Sequence, residues 1–155
     1  MAYAFPIDPA ELFLERTPQM LSTGIPRGDL DGALALIEQA IPRYATDFSP
    51  PIRPVEALQA RVQLARGDID AATEWAARRR LAADDELTYV TEFEHITLAR
   101  VLIARHAAGQ GADLLGQAAG LLDRLLAQAE AGRRTGSAIE ILILLASARD
   151  SADDE

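Results

Sequence analysis

The sequence contains no cysteine and no lysine, and both absences exclude whole classes of site. Without cysteine it can form no disulfide, no thiolate nucleophile and no thiolate zinc site. Without lysine it can hold neither a Walker A phosphate loop nor a Schiff-base centre, because both depend on a lysine amine. All 15 basic side chains are therefore arginines.

Long apolar runs and positive charge are also scarce. The longest apolar run, from Ile141 to Ala146, is far shorter than the ~20 residues that span a bilayer. The first residues lack the basic start and apolar core of a signal peptide, so we expect a cytoplasmic protein with no membrane partner. The net charge of −9 argues against direct nucleic-acid binding, which needs a basic stripe.

Alanine and leucine dominate the apolar 49% of the chain and favour helix. The centre of the sequence is a predicted pair of helices. The segment from Asp84 to about His106 forms one, and a leucine-rich segment ending near Ala131 forms the other, with apolar residues at i, i+3, i+4 and i+7. We expect the core to include Leu98, Leu102, Leu115, Leu122 and Leu125.

Capping residues and helix breakers predict about seven helices and no sheet. Asp29 and Asp68 are suited to cap helices, and Gly67 to end one. Ser137 and Glu140 have the spacing of a capping box for the last helix. The predicted boundaries are 9–17, 30–41, 54–66, 69–80, 84–106, 113–131 and 137–148. Residues 1–149 would form a single helical-repeat domain, and residues 150–155 a disordered acidic tail.

A small residue recurs at Ala33, Ala72 and Ala118, each followed by apolar residues at helical offsets. Tetratricopeptide repeats place alanine and a bulky apolar residue four positions apart in their second helix. An unrelated antiparallel bundle would give similar spacings. Both interpretations predict the all-α class.

Four segments carry a more specific signal: 52–62 (IRPVEALQARV), 64–68 (LARGD), 92–102 (EFEHITLARVL) and 132–144, which includes IEIL. In this order they resemble the tetratricopeptide-like sensor region of the MalT-like family. Members of that family are LuxR-type, ATP-dependent transcription activators. The resemblance covers about residues 28–145. It implies stacked antiparallel helix pairs in a short right-handed superhelix.

Full members of that family carry an ATPase before this region and a helix-turn-helix after it. The sequence contains neither, so the resemblance implies an excised or truncated sensor segment. It also implies a non-catalytic role in signal transduction, with a small-molecule effector or a protein as partner. The alternative is a free-standing protein-interaction scaffold with no small ligand.

A metalloenzyme is the third hypothesis. Glu92 and His95 form a Glu-x-x-His motif, and His106 lies about three turns further on. Di-iron bundles need two such motifs and two more glutamates, and only one motif occurs. We expect no enzymatic activity, no metal and no cofactor.

The candidate binding face follows from the repeat register. In helical-repeat superhelices the first helix of each pair lines the concave surface. This register places Arg61 on that surface, with Thr97 and Arg100 one repeat later. Two arginines near Tyr89, Glu94 and His95 could hold a polar or anionic effector. Alternatively, Arg61 and Arg100 pair with the scaffold carboxylates Glu56, Glu92 or Glu94.

The last predicted helix is apolar nearly all round. A helix of this character is normally buried on more than one side. We expect its outer face, assigned to Ile141, Leu144 and Leu145, to form a homodimer contact. The alternative is that the helix folds back against its own chain.

Overall fold

A computed structural model describes residues 29–44, 52–111 and 113–153. These residues contain 6 α-helices and no strand. The helices are α1 Leu30–Tyr44, α2 Val55–Arg66, α3 Ile69–Arg79, α4 Glu92–Ala107, α5 Leu114–Ala131 and α6 Thr135–Asp153. The predicted helix over 9–17 lies outside the described residues. None of the described helices is long and apolar enough to cross a bilayer.

The helices form a stack in which each packs against the next along the chain. In addition, α4 contacts both α2 and α6, so these three alternate helices lie side by side. That arrangement is typical of a helical-repeat stack. The predicted all-α, tetratricopeptide-like fold is confirmed.

The main core is built from apolar residues of all five helices from α2 to α6. A smaller apolar cluster joins α1 to α2. Leu122 and Leu125 are fully buried, and Leu98 and Leu102 nearly so, as predicted. The prediction for Leu115 was wrong, because Leu115 is only half-buried while its neighbour Leu114 is buried. The buried face of α5 consists of Leu114, Ala118, Leu121, Leu122, Leu125 and Ala129.

The turn between α2 and α3 forms as the sequence predicts. Gly67 ends α2 in the left-handed region, at φ 84°, which glycine adopts without steric cost. The Asp68 carboxylate accepts a hydrogen bond of 3.2 Å from the N–H of Ala71 and so caps α3. This turn sets α2 and α3 as one helix pair.

The start of α4 differs from the prediction, since the helix begins at Glu92 rather than at Asp84. Side chains hold the preceding residues in turns instead. The Asp85 carboxylate accepts the N–H of Ala82 at 2.8 Å, and the side chains of Thr88 and Thr91 bond to each other. Such bonds compete with helix formation. Side chains of α5 also donate to carbonyls of this segment: Arg124 to Ala83 and Asp85, and Gln128 to Leu87.

Both ends of α6 also differ from the prediction. The helix begins at Thr135, and Ser137 and Glu140 bond to other helices instead of forming a capping box. It continues to Asp153, so residues 150–153 are helical where the sequence predicted the start of a disordered tail. Residues 154 and 155 lie outside the described part.

Candidate functional site

Three side chains of α4 share the face that meets α2. Phe93, Thr97 and Arg100 are spaced by four and three positions, which places them along one side of a helix with 3.6 residues per turn. From α2, the Nε of Arg61 donates to Oγ1 of Thr97 at 2.8 Å. Thr97 in turn donates to the carbonyl oxygen of Phe93 at 2.8 Å. The structure thus brings Arg61 and Thr97 together across two helices.

Glu140 of α6 joins this face to a third helix. Its Oε1 lies 2.8 Å from Nη1 of Arg61 and 2.9 Å from Nη2 of Arg100. One carboxylate therefore links α2, α4 and α6. The two arginines pair with Glu140 and not with Glu56, Glu92 or Glu94, so the sequence-based alternative named the wrong carboxylates.

Arg61 is the most enclosed of these arginines, with 18% of its side chain exposed. Its guanidinium carbon lies 3.8 Å from the centroid of the Phe93 ring, in a cation–π contact. Burial lowers the pKa of Arg61 to about 10. Glu140 opposes that shift, whereas the neighbouring charges of Arg100 and Arg53 add to it. The Nη2 atom of Arg61 is buried without a hydrogen-bond partner among the described residues.

A cavity of about 370 Å³ lies beside this cluster. The segment before α2, the start of α4 and the first turns of α6 all contribute to its walls. Two aromatic rings and four charged side chains line it, together with small and apolar residues. These are Tyr89, Phe93, Arg53, Arg134, Glu92, Glu140, Ile52, Ile96, Gly136 and Ser137.

Glu92 anchors one wall of the cavity. Its Oε2 accepts hydrogen bonds from Nε and Nη2 of Arg134 at 2.8 and 2.6 Å, and its Oε1 accepts one from Ser137 at 2.6 Å. The Arg134 guanidinium also lies 5.4 Å from the centroid of the Tyr89 ring. Tyr89 is thereby placed at the cavity, as one of the predicted site residues, with 52% of its surface exposed.

Glu94 and His95 lie on other sides of α4, which separates them from the predicted site. Glu94 is buried and pairs with Arg79 of α3 at 2.7 Å. His95 is buried as well, with Nδ1 2.9 Å from the carbonyl oxygen of Thr91 and Nε2 3.2 Å from Oδ2 of Asp85. Each residue of a helix is turned by about 100° from the one before it, so Glu94 lies about 100° from Phe93 and His95 about 200° from Thr97.

The Glu-x-x-His motif does not converge on a common point. Glu92 is bound by Arg134 and Ser137, whereas His95 contacts Asp85. Within residues 29–44, 52–111 and 113–153, no group of three or more His, Asp or Glu side chains could hold a metal ion. The two residues of the motif therefore bind different partners in the described structure.

A second cavity, of about 550 Å³, lies on the opposite side of α4, between α3, α4 and α5. Its walls are mainly alanine and leucine, with Arg105 and Gln117 among the polar residues. Among the described residues of its walls no ion pair is comparable to that of Glu92 and Arg134, so we place the candidate site at the first cavity.

The residues assigned to a dimer contact are buried within the chain itself. Ile141, Leu144 and Leu145 expose 0%, 7% and 4% of their surfaces. Their assignment to the outer face of α6 is therefore wrong. The large apolar residues that α6 does expose are Ile139, Leu142 and Ile143.

A family model described as the MalT-like TPR region matches residues 8–155. The chain belongs to this family. The match extends over nearly the whole sequence and agrees with the helical stack observed here. No curated protein and no solved structure matches the chain significantly.

Of the residues predicted for an effector site in this MalT-like TPR region, Tyr89 lines the cavity, whereas Arg61, Thr97 and Arg100 do not. The lining residues that the sequence did not assign to a site include Arg53, Arg134, Ser137 and Glu140. Arg53, Arg134 and Ser137 carry no distinctive local pattern. The importance of Glu140 could have been predicted from the sequence, because it is the only charged residue between Arg134 and Arg149. A lone carboxylate on an otherwise apolar helix needs a partner when it is part-buried.

Proposed function

We propose that this MalT-like TPR region is the non-catalytic sensor segment of a LuxR-type transcriptional regulator and that it binds a small effector in the 370 Å³ cavity. The observation that carries the proposal is the composition of that cavity. Ligand pockets typically occupy about 300–1,000 Å³ and combine apolar or aromatic walls with a few placed polar groups. Tyr89 and Phe93 supply the rings, and the fixed side chains of Glu92, Arg134 and Glu140 supply the polar groups.

The position of the cavity suits a sensor. Its walls come from the segment before α2, from α4 and from α6, so one ligand would contact three parts of the stack at once. A ligand that binds one relative arrangement of these helices better than another shifts the population toward that arrangement. Effector binding would thereby be transmitted along the repeat stack to neighbouring domains of the regulator.

A thermal-shift screen of small metabolites tests the proposal. A ligand at 100 times its Kd adds about 2.7 kcal/mol to the free energy of unfolding, which gives a readily measured rise in melting temperature. We expect Arg100→Ala to abolish the rise while leaving the fold intact, because its loss leaves Glu140, which lines the cavity, held by Arg61 alone. Arg78→Ala, at an exposed arginine of α3 that pairs with Glu74, should leave binding unchanged.

A second pair of variants tests the location without removing a charge. A Cβ atom at Gly136, which lines the cavity, would meet no other atom within 4 Å. Gly136→Leu should therefore fold and yet obstruct the ligand. Gly120→Leu is the matched control, because a Cβ there also meets nothing within 4 Å but lies on α5, away from the cavity.

Equal binding by Gly136→Leu and Gly120→Leu would place the effector elsewhere. If no compound of a broad library raises the melting temperature, the free-standing interaction scaffold becomes the better account of this chain.

A further inference from the structure

The charges around the 370 Å³ cavity do not balance. Arg53, Arg134, Glu92 and Glu140 line the cavity, and Arg61 and Arg100 bind Glu140 from behind it. Glu92 and Arg134 neutralise one another as an ion pair. For the three guanidinium groups of Arg53, Arg61 and Arg100, the described part of the cluster then offers one carboxylate, that of Glu140, which binds Arg61 and Arg100. This local excess of positive charge stands in a chain whose net charge is −9.

Arg53 is the arginine of this set that no carboxylate of the described residues holds. It lies exposed in the segment before α2, with its guanidinium carbon 5.7 Å from the centroid of the Phe93 ring. Among the described residues, no ion pair joins it to an acidic side chain, whereas Arg61, Arg100 and Arg134 each have one. Its five N–H donors are thus available to a ligand in the cavity that it lines.

Two further features favour negative charge at the same place. Behind the cavity wall, the buried Nη2 of Arg61 has no hydrogen-bond partner among the described residues, so the charge of this guanidinium is incompletely compensated. The first turn of α6, at Gly136 and Ser137, also lines the cavity. The N-terminus of a helix carries about half a positive charge and unpaired N–H groups, which stabilise a nearby anion.

We infer that the effector of this site carries an anionic oxygen group, a phosphate or a carboxylate, which Arg53 binds at the mouth of the cavity. The inference rests on the proposed effector-binding function and adds the chemical class of the ligand. Arginine presents its donors in a planar fork that matches both groups. The part of the ligand beyond the anion would lie against Tyr89 and Phe93, whose rings form the cavity wall.

A cationic effector fits less well, because the two carboxylates of the cavity are already bound by arginines. A neutral effector would leave the excess of guanidinium charge uncompensated. An anion instead gains attraction to these groups, and that attraction weakens as salt is added.

Three aromatic probes of similar size separate these cases: phenyl phosphate, benzoate and the neutral benzamide. Their binding to the wild-type protein is measured by isothermal titration calorimetry at constant ionic strength. We expect one or both anions to bind and benzamide to bind at least about tenfold more weakly, since a hydrogen bond to a charged group contributes on that scale. A preference between phenyl phosphate and benzoate would identify which anionic group the site favours.

Arg53→Gln keeps hydrogen-bonding capacity but removes the charge, and it should raise the Kd of the bound anion about tenfold or more. Arg78→Gln removes one exposed arginine on α3, outside the cavity, and should leave that Kd unchanged. Retention of the wild-type melting temperature by Arg53→Gln, which alters an exposed residue, shows that the fold is intact.

Failure of both anions to bind, or Kd values for both anions no lower than that of benzamide, would overturn the inference. So would equal binding by Arg53→Gln and Arg78→Gln. The wider screen could instead yield a neutral effector whose binding depends on Arg100 but not on Arg53. That result would overturn the inference that the effector is anionic, while leaving the proposed sensor function in place. If that screen yields no effector at all, both the anionic ligand and the proposed sensor function are contradicted.

Discussion

Glu92 and Arg134 form an ion pair between the first turn of α4 and the residue immediately before α6, with Oε2 of Glu92 2.6 Å from Nη2 of Arg134. Only 8% of the Glu92 side chain and 24% of the Arg134 side chain are exposed. Ser137 binds the second carboxylate oxygen. The pair therefore fixes α6 against α4 and shapes one wall of the cavity.

Removing one partner of this pair should destabilise the protein more than replacing both. We expect Arg134→Met to cost about 3–5 kcal/mol of unfolding free energy, because the Glu92 carboxylate stays buried without its counter-ion. The double replacement Glu92→Met with Arg134→Met should recover much of that loss, since no unpaired charge remains. Urea denaturation of the wild type, both single variants and the double variant measures the coupling. Additive losses would show that the pair makes no net contribution.

The packing of α5 gives a second prediction. Leu122 is fully buried in the main core, so Leu122→Ala should cost about 2–5 kcal/mol. Leu36→Ala is the control, since Leu36 of α1 is 54% exposed and its truncation should change stability by only about 0.5 kcal/mol. Chemical denaturation of both variants checks this. A loss below about 1 kcal/mol at Leu122 would mean that the register of α5 is wrong.

The helices could be predicted where local chemistry and the apolar period agree. On α5 the period marks one buried face, and the Gly67–Asp68 turn combines a glycine C-cap with an aspartate N-cap. The start of α4 could not be predicted in this way. Asp84, Asp85 and Glu86 favour a helix start by charge alone, but the bonds that hold their segment in turns come partly from α5, far along the chain.

The site was predictable only in part, for a related reason. Repeat register placed Arg61, Thr97 and Arg100 on a common side, because the first helices of successive pairs lie side by side in the stack. Register gives no information on which distant carboxylate they meet, and Glu140 was interpreted as a local cap. The apolar period also failed on α6, which is apolar nearly all round. With no polar face to orient it, the buried positions of Ile141 and Leu144 could not be told from the exposed positions of Leu142 and Ile143.

Acid should weaken the turn before α4. Hydrogen bonds from the N–H of Ala82 and from His95 hold the pKa of Asp85 below its ordinary value of 3.8. Because the folded-state pKa is the lower one, the stabilisation by this carboxylate is complete above about pH 4 and is lost as the pH falls through the folded-state pKa. The difference in unfolding free energy between wild type and Asp85→Asn should therefore shrink as the pH falls below 3.8.

Urea denaturation across this pH range measures that difference. Asp123→Asn, which removes another negative charge from an exposed position of α5, controls for the general effect of charge. A difference between wild type and Asp85→Asn that stays constant down to the lowest pH would contradict the role assigned to the Asp85 carboxylate.

The last prediction concerns self-association through α6. Ile139, Leu142 and Ile143 expose 54%, 50% and 61% of their surfaces and are spaced as one strip on the helix. Contiguous exposed apolar patches are typical of interaction surfaces. A two-fold contact uses the same strip twice, so we propose a homodimer formed by two copies of this strip.

Sedimentation of wild type, Ile143→Glu and Leu144→Glu tests the dimer and its location together. Ile143→Glu should give a folded monomer, because the new charge lies on the strip and remains in water. Leu144→Glu should instead unfold the chain, because Leu144 is 7% exposed and belongs to the main core; burying an unpaired carboxylate costs several kcal/mol. A wild-type chain that stays monomeric at high concentration would refute the dimer. A folded, monomeric Leu144→Glu beside a dimeric Ile143→Glu would mean that α6 presents the opposite face to its partner.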